Sequence, residues 1–91
     1  MRLLYPMRFT PEDGGFGVQG LDELSGAITF GDTLEEAQAM AIEALSGILA
    51  SKLEHNRPIP RPVEVVGDDI RYVEPDPDVA TPILLRWARE D

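Results

Sequence analysis

The sequence contains no cysteine. A disulfide framework, thiolate zinc sites and cysteine nucleophiles are therefore excluded, and the redox compartment cannot be read. Long apolar runs are also missing. None approaches the roughly 20 residues that span a bilayer, and "MRLLYPMRF" lacks the apolar core of a secretory leader. The expectation is a cytoplasmic protein with no membrane association. Basic residues are scarce, 8 against 17 acidic ones, for a formal charge of −9. Such a field repels phosphate backbones, so direct nucleic-acid binding is not expected. It favours encounter with a basic protein, beyond its plain contribution to solubility.

The 91 residues suffice for one domain. A chain of this size buries only roughly 60–65% of its unfolded surface, so self-association would add useful stability. In "LLYPMRFTPEDGG" the residues Leu3, Tyr5, Met7 and Phe9 alternate with Leu4, Pro6, Arg8 and Thr10. Period two predicts a half-buried strand, and Pro6, which cannot donate to a ladder, predicts an edge or a bulge. "TPEDGG" has hairpin chemistry, "FGVQG" reads as the returning strand, "LDELSG" as an irregular connection and "AITF" as a third strand.

A long helix follows. Thr33 with Glu36 forms a capping box: the hydroxyl accepts from the third helical amide, and Glu36 reaches back to the cap's own amide. Asp32, Glu35 and Glu36 also suit the positive end of the helix dipole. Ala37, Ala41, Ala44 and Ile48, widened by Met40, Leu45, Leu49 and Leu53, form the apolar stripe, with Ser46 among the residues on the other side. Gly47 marks either a close packing contact or a weak spot. The prolines of "HNRPIPRP" end the helix. Ile70 to Glu74 reads as a strand, with Val63 to Val66 as its partner across the Gly67-Asp68-Asp69 turn. A short helix then starts near Asp78 or later, so that Pro82 falls in its first turn. The expectation is an α+β fold in the order β-β-β-α-β-α, one domain over residues 1–91, with a core at 1–75 and a C-terminal helix at 76–91.

No catalytic or metal site emerges, and no cofactor is expected. Two-metal hydrolysis needs carboxylates converging from central strands, and "LLYPMRFT" carries none. Asp32, Thr33 and Glu36 have a sufficient structural role as the helix cap. Asp68-Asp69 and Asp76/Asp78 lack the ligand spacing of a calcium loop. His55, the one histidine, suits a terminal carbonyl at the helix end. "RPIPRP" reads as a rigid spacer.

Tyr5-Pro6, Phe9, Pro11-Glu12, Gly14-Gly15-Phe16 and Val18 together resemble the opening of HicB-like antitoxins. The match continues through Leu24, Gly26, Ile28, Thr29, the run Gly31-Asp32-Thr33-Leu34-Glu35-Glu36-Ala37, and Pro58-Ile59-Pro60. Singly these motifs are weak; in this order and spacing they are specific. The sequence departs mildly where Glu23, Ser25 and Ala27 replace a frequent Asp, Pro and Cys. The resemblance implies a partial ribonuclease-H-like fold and a non-enzymatic role: binding and masking HicA, a small basic toxin that cleaves mRNA. Many family members continue past a segment like "VATPILLRWA" into a DNA-binding domain, whereas this sequence stops at Asp91: it resembles a short member without one, a member that works with a separate DNA-binding protein, or a truncated piece of a longer one. Promoter binding is therefore not carried over.

On that reading the candidate toxin contacts are the acids Asp22, Glu23, Asp68 and Asp69, and an edge strand near Pro6 and Arg8. Trp87 either closes the core over the helix–strand junction or anchors an interface; with Ile83 and Leu84 of "ILLRW" it is the candidate self-association surface, in line with the oligomers common in the family. The alternative is a solitary oligomeric domain with a structural or regulatory role and no toxin partner.

Overall fold

The computed structural model describes residues 2–91. Its elements run β1 (Tyr5–Glu12), β2 (Gly15–Gly20), a 3-10 turn (Asp22–Leu24), β3 (Ile28–Gly31), α1 (Leu34–Glu54), β4 (Ile70–Val73) and α2 (Pro77–Glu90). The fold is α+β in the order expected. Its four strands form one antiparallel sheet, ordered β3-β2-β1-β4.

The alternation in β1 sends Tyr5, Met7 and Phe9 into the core, where each is at most 4% exposed. They meet Ala37, Ala41, Leu45 and Leu49 of α1, together with Val18, Ile83 and Trp87. The alanines let the helix lie close, and the leucines fill its far end. At the hairpin, Glu12 pairs with Gly15 across Asp13-Gly14, and Gly14 takes the positive φ of 76° that such a turn requires.

The edge position expected for Pro6 is overturned, since β1 lies between β2 and β4. The ladder explains how a central strand tolerates two prolines. Phe9 N donates to Asp69 O at 2.7 Å, so odd-numbered residues of β1 bond towards β4 and even-numbered ones towards β2. Pro6 faces β2, but that ladder begins only at Met7↔Gly20. Pro11 faces β4, whose pairing with β1 ends at Arg8↔Ile70 and the flanking bond from Phe9 N to Asp69 O. Each missing N–H therefore lies beyond the end of the ladder it would have joined.

Three further expectations change. Val63 to Val66 form no strand. The Tyr72 hydroxyl instead accepts from Val65 N at 2.8 Å and donates to Val65 O at 3.0 Å, while Val66 is 91% exposed. Ser46 is buried rather than solvent-facing, and its Oγ accepts from Asp76 N at 2.9 Å. It supplies the bond that starts α2, because Asp76 makes no side-chain cap of its own. Finally, α2 begins at Pro77, which puts Pro82 in its second turn. Pro82 and Asp78 are both exposed, so water can satisfy the Asp78 carbonyl that loses its helical donor.

The loop after α1 is fastened from below. Tyr5 Oη donates to Pro60 O at 2.6 Å, and burial pushes the phenol up from 10.0 to about 12. The folded state thus holds this proton through a pH range in which the unfolded chain releases it, so stability falls as pH rises from about 10 to about 12. Denaturant midpoints of the native protein should fall over that window relative to those of Tyr5→Phe. Parallel curves for the two proteins would show that Tyr5 ionises as freely in the fold as outside it.

Candidate functional site

At the start of α1 the acids belong to the fold. Glu36 N donates to Thr33 Oγ1 at 3.0 Å, and Glu36 Oε1 accepts from Asp32 N at 2.9 Å. The return bond reaches Asp32, one residue earlier than the cap amide expected from sequence. The turn is tight because Gly31 presses on the helix: a β-carbon there would stand 2.3 Å from Ala37 N.

Asp22 and Glu23 lie on the 3-10 turn, exposed and without an ion-pair partner among the described residues. Asp22 sits at φ 50°, a left-handed conformation that Asp tolerates better than most residues. The pair rims a cleft of about 250 Å³ lined by Tyr5, Pro6, Leu21, Leu24, Pro60, Arg61 and Val63. Pro6 is buried and lines this cleft rather than standing on an exposed edge. Arg8 and Asp69 belong to another neighbourhood and neutralise each other, Nε to Oδ2 at 2.8 Å. Asp68 is exposed nearby. The structure thus brings Pro6 together with Asp22 and Glu23, and separates them from the Arg8–Asp69 pair.

The self-association surface expected on α2 is largely consumed within the chain. Ile83 is 0% and Trp87 9% exposed, and the Arg61 guanidinium covers the indole at 4.6 Å from its centroid. Arg61 also pairs with Asp91 at 3.1 Å. Leu84 is half-buried against the core. The aromatic closes the core because α2 folds back on α1, a long-range contact that the helical pattern of α2 alone does not reveal. Arg61 and Ser46 were missed for the same reason. A stacking arginine after a proline-rich link, or a serine beside an apolar stripe, gives no signal without its distant partner.

Among the described residues no group of three or more His, Cys, Asp or Glu side chains is placed to hold a metal ion. His55 Nδ1 lies 2.8 Å from Ser51 O, at the end of α1. No helix among those residues is long and apolar enough to cross a membrane.

The structure is a small α+β domain in which Asp22 and Glu23 rim a largely apolar cleft. Residues 4–75 match the family model of the HicB-like antitoxin of bacterial toxin–antitoxin systems, and the chain belongs to that family. It is a family of regulatory components and not of enzymes. The chain is 39% identical over 82 residues to Antitoxin HicB 1 of Photorhabdus laumondii, covering 89% of this chain and 50% of that protein. It is 36% identical over 81 residues to Antitoxin HicB 2 of the same organism, covering 89% of this chain and 55% of the relative. The chain thus spans about half the length of the curated relatives it matches.

Proposed function

We propose that this chain binds a small basic, mRNA-cleaving toxin of the HicA type and neutralises it by covering its catalytic or RNA-binding face. Such a role belongs in the cytoplasm, where the toxin's substrate is. The observation that carries the reading is the cleft beside Asp22 and Glu23. Its lining of buried Pro6 and Leu24 and exposed Val63 suits the aliphatic stem of a lysine or arginine, and its two unpaired carboxylates suit the charged end. The Arg61 that also lines it is held by Asp91. The surplus of 17 acidic over 8 basic residues adds long-range attraction to a basic partner. Asp68 extends the acidic surface, whereas Arg8 and Asp69, already paired, add little net charge.

Co-expression with a small basic toxin of the HicA type tests this function. The two should co-purify, and the partner's toxicity should fall. If neither occurs, the antitoxin reading fails and the solitary oligomeric domain takes its place. The site is tested by combining Asp22→Asn with Glu23→Lys, since Asn also tolerates the left-handed backbone. The expected result is at least a tenfold weaker complex with a shallower salt dependence and an unchanged circular-dichroism spectrum. Unaltered affinity would move the interface elsewhere on the surface.

A further inference from the structure

The loop that returns from α1 to β4 contains a strand-like segment that joins no sheet. Val63, Glu64, Val65 and Val66 have the β-branched composition of a strand, yet no backbone–backbone hydrogen bond among the described residues reaches any of them. One side chain stands in for the missing neighbour. Tyr72 pairs with Pro6 on the sheet face opposite α1, and its hydroxyl takes both the N–H and the C=O of Val65. A residue that presents both groups to one side is extended, and its neighbours in an extended run present theirs to the other side. Glu64 and Val66 therefore direct their backbone groups away from Tyr72, where nothing among the described residues bonds them.

The segment is fixed at both ends. Before it, Tyr5 Oη bonds Pro60 O at 2.6 Å, and Arg61 is pinned by Trp87 and Asp91. After it, Ile70 N donates to Gly67 O at 3.1 Å and Phe9 N to Asp69 O at 2.7 Å. A strand held in this way gives up little conformational freedom when a partner pairs with it. Val63 is 57% and Val66 91% exposed, so apolar side chains stand beside open backbone groups, an arrangement that folded proteins usually cover or pair. Val63 also lines the cleft rimmed by Asp22 and Glu23, which makes cleft and segment one continuous surface.

We infer that residues 63–66 form a docking strand, and that an edge strand of the basic toxin pairs with the outward groups of Glu64 and Val66. The inference rests on the antitoxin reading and adds to it a contact that sets the partner's direction and register. Charge selects the occupant. Residues 63–69 carry three acids, Glu64, Asp68 and Asp69, and no base. Of the nearby cations, Arg61 is bound to Asp91 and Arg8 to Asp69, while Arg71 lies with Met7 on the α1 face of the sheet. Lysines commonly guard exposed sheet edges, so the edge of a basic protein offers the complement to this acidic strand. Opposite charges stabilise a strand pair, whereas a second copy of the segment would set acid against acid.

Amide exchange of the full chain, free and saturated with a HicA-type toxin, reads the pairing directly. In the free chain the amides of Glu64 and Val66 should exchange faster than that of Val65, which Tyr72 holds. In the complex both should slow at least tenfold. Val66→Pro removes a donor that the free fold does not use, and proline suits the extended Val65 before it. This variant should unfold at the temperature of the parent and bind the toxin at least tenfold more weakly. Val66→Ala keeps the N–H and should bind nearly as the parent does. A complex in which Glu64 and Val66 exchange as fast as in the free chain would overturn the docking strand and leave the antitoxin function standing. So would a Val66→Ala chain as impaired as Val66→Pro, because the contact would then be made by the side chain. Absence of any complex would overturn both together.

Discussion

Replacing Gly31 by alanine is expected to cost at least about 3 kcal/mol, the upper end of ordinary overpacking. The added β-carbon would lie 2.3 Å from Ala37 N and 2.5 Å from Ala37 Cα, and Glu36 C is 2.8 Å away. These are backbone atoms of the first turn of α1, held by the bonds from Glu36 N to Thr33 Oγ1 and from Asp32 N to Glu36 Oε1. Relief requires α1 to lift from β3 or the cap to open, and either exposes Ala37 and Ala41. A domain of this size has a total stability of roughly 5–14 kcal/mol, so the loss is a large fraction. Thermal unfolding should drop by roughly 12 °C or more. A shift of only a degree or two would mean that helix and strand separate easily, and that Gly31 is not fixed by this contact.

The second large effect is at Trp87. Truncation to alanine removes a buried aromatic and leaves a cavity beneath Arg61, at an expected cost of about 3–5 kcal/mol. The guanidinium loses the ring it covers at 4.6 Å, and Ile83 loses part of its cover. Denaturant unfolding should show the loss as a lower midpoint, and the near-ultraviolet signal of the single tryptophan disappears by construction. Sedimentation separates this role from that of an interface residue. With Trp87 in the core, the variant is less stable but keeps the oligomeric state of the parent while folded. Unchanged stability with altered association would return the residue to the surface.

The local parts of the fold were legible because short-range physics determines them. Alternation in Leu3 to Phe9 marked the buried face of β1, Asp13-Gly14 marked the hairpin, and Thr33 with Glu36 marked the start of α1. What depended on tertiary partners was not legible. Pro6 suggested an edge because a proline usually marks one. Its place in a central strand depends on where two ladders stop, and that is set by the register of β2 and β4. Trp87 read equally as core or as interface anchor because its cover, Arg61, comes from a loop more than twenty residues earlier in the sequence. Ser46 looked solvent-facing until the return of α2 gave it Asp76 N to hold. Of the candidate contacts, the sequence pointed to Asp22 and Glu23 by charge alone. Only the fold puts them on the rim of an apolar cleft, and only the fold shows Arg8 and Asp69 spent on each other.

On the function proposed above, this domain silences a basic ribonuclease by binding it through the acidic rim. Titrating the purified chain into an RNA-cleavage assay of a HicA-type toxin tests that most directly. Cleavage should fall to background near stoichiometric addition, inhibition should weaken as salt rises, and the chain carrying Asp22→Asn and Glu23→Lys should need at least tenfold more protein. Undiminished cleavage at a large excess of the native chain would contradict the account.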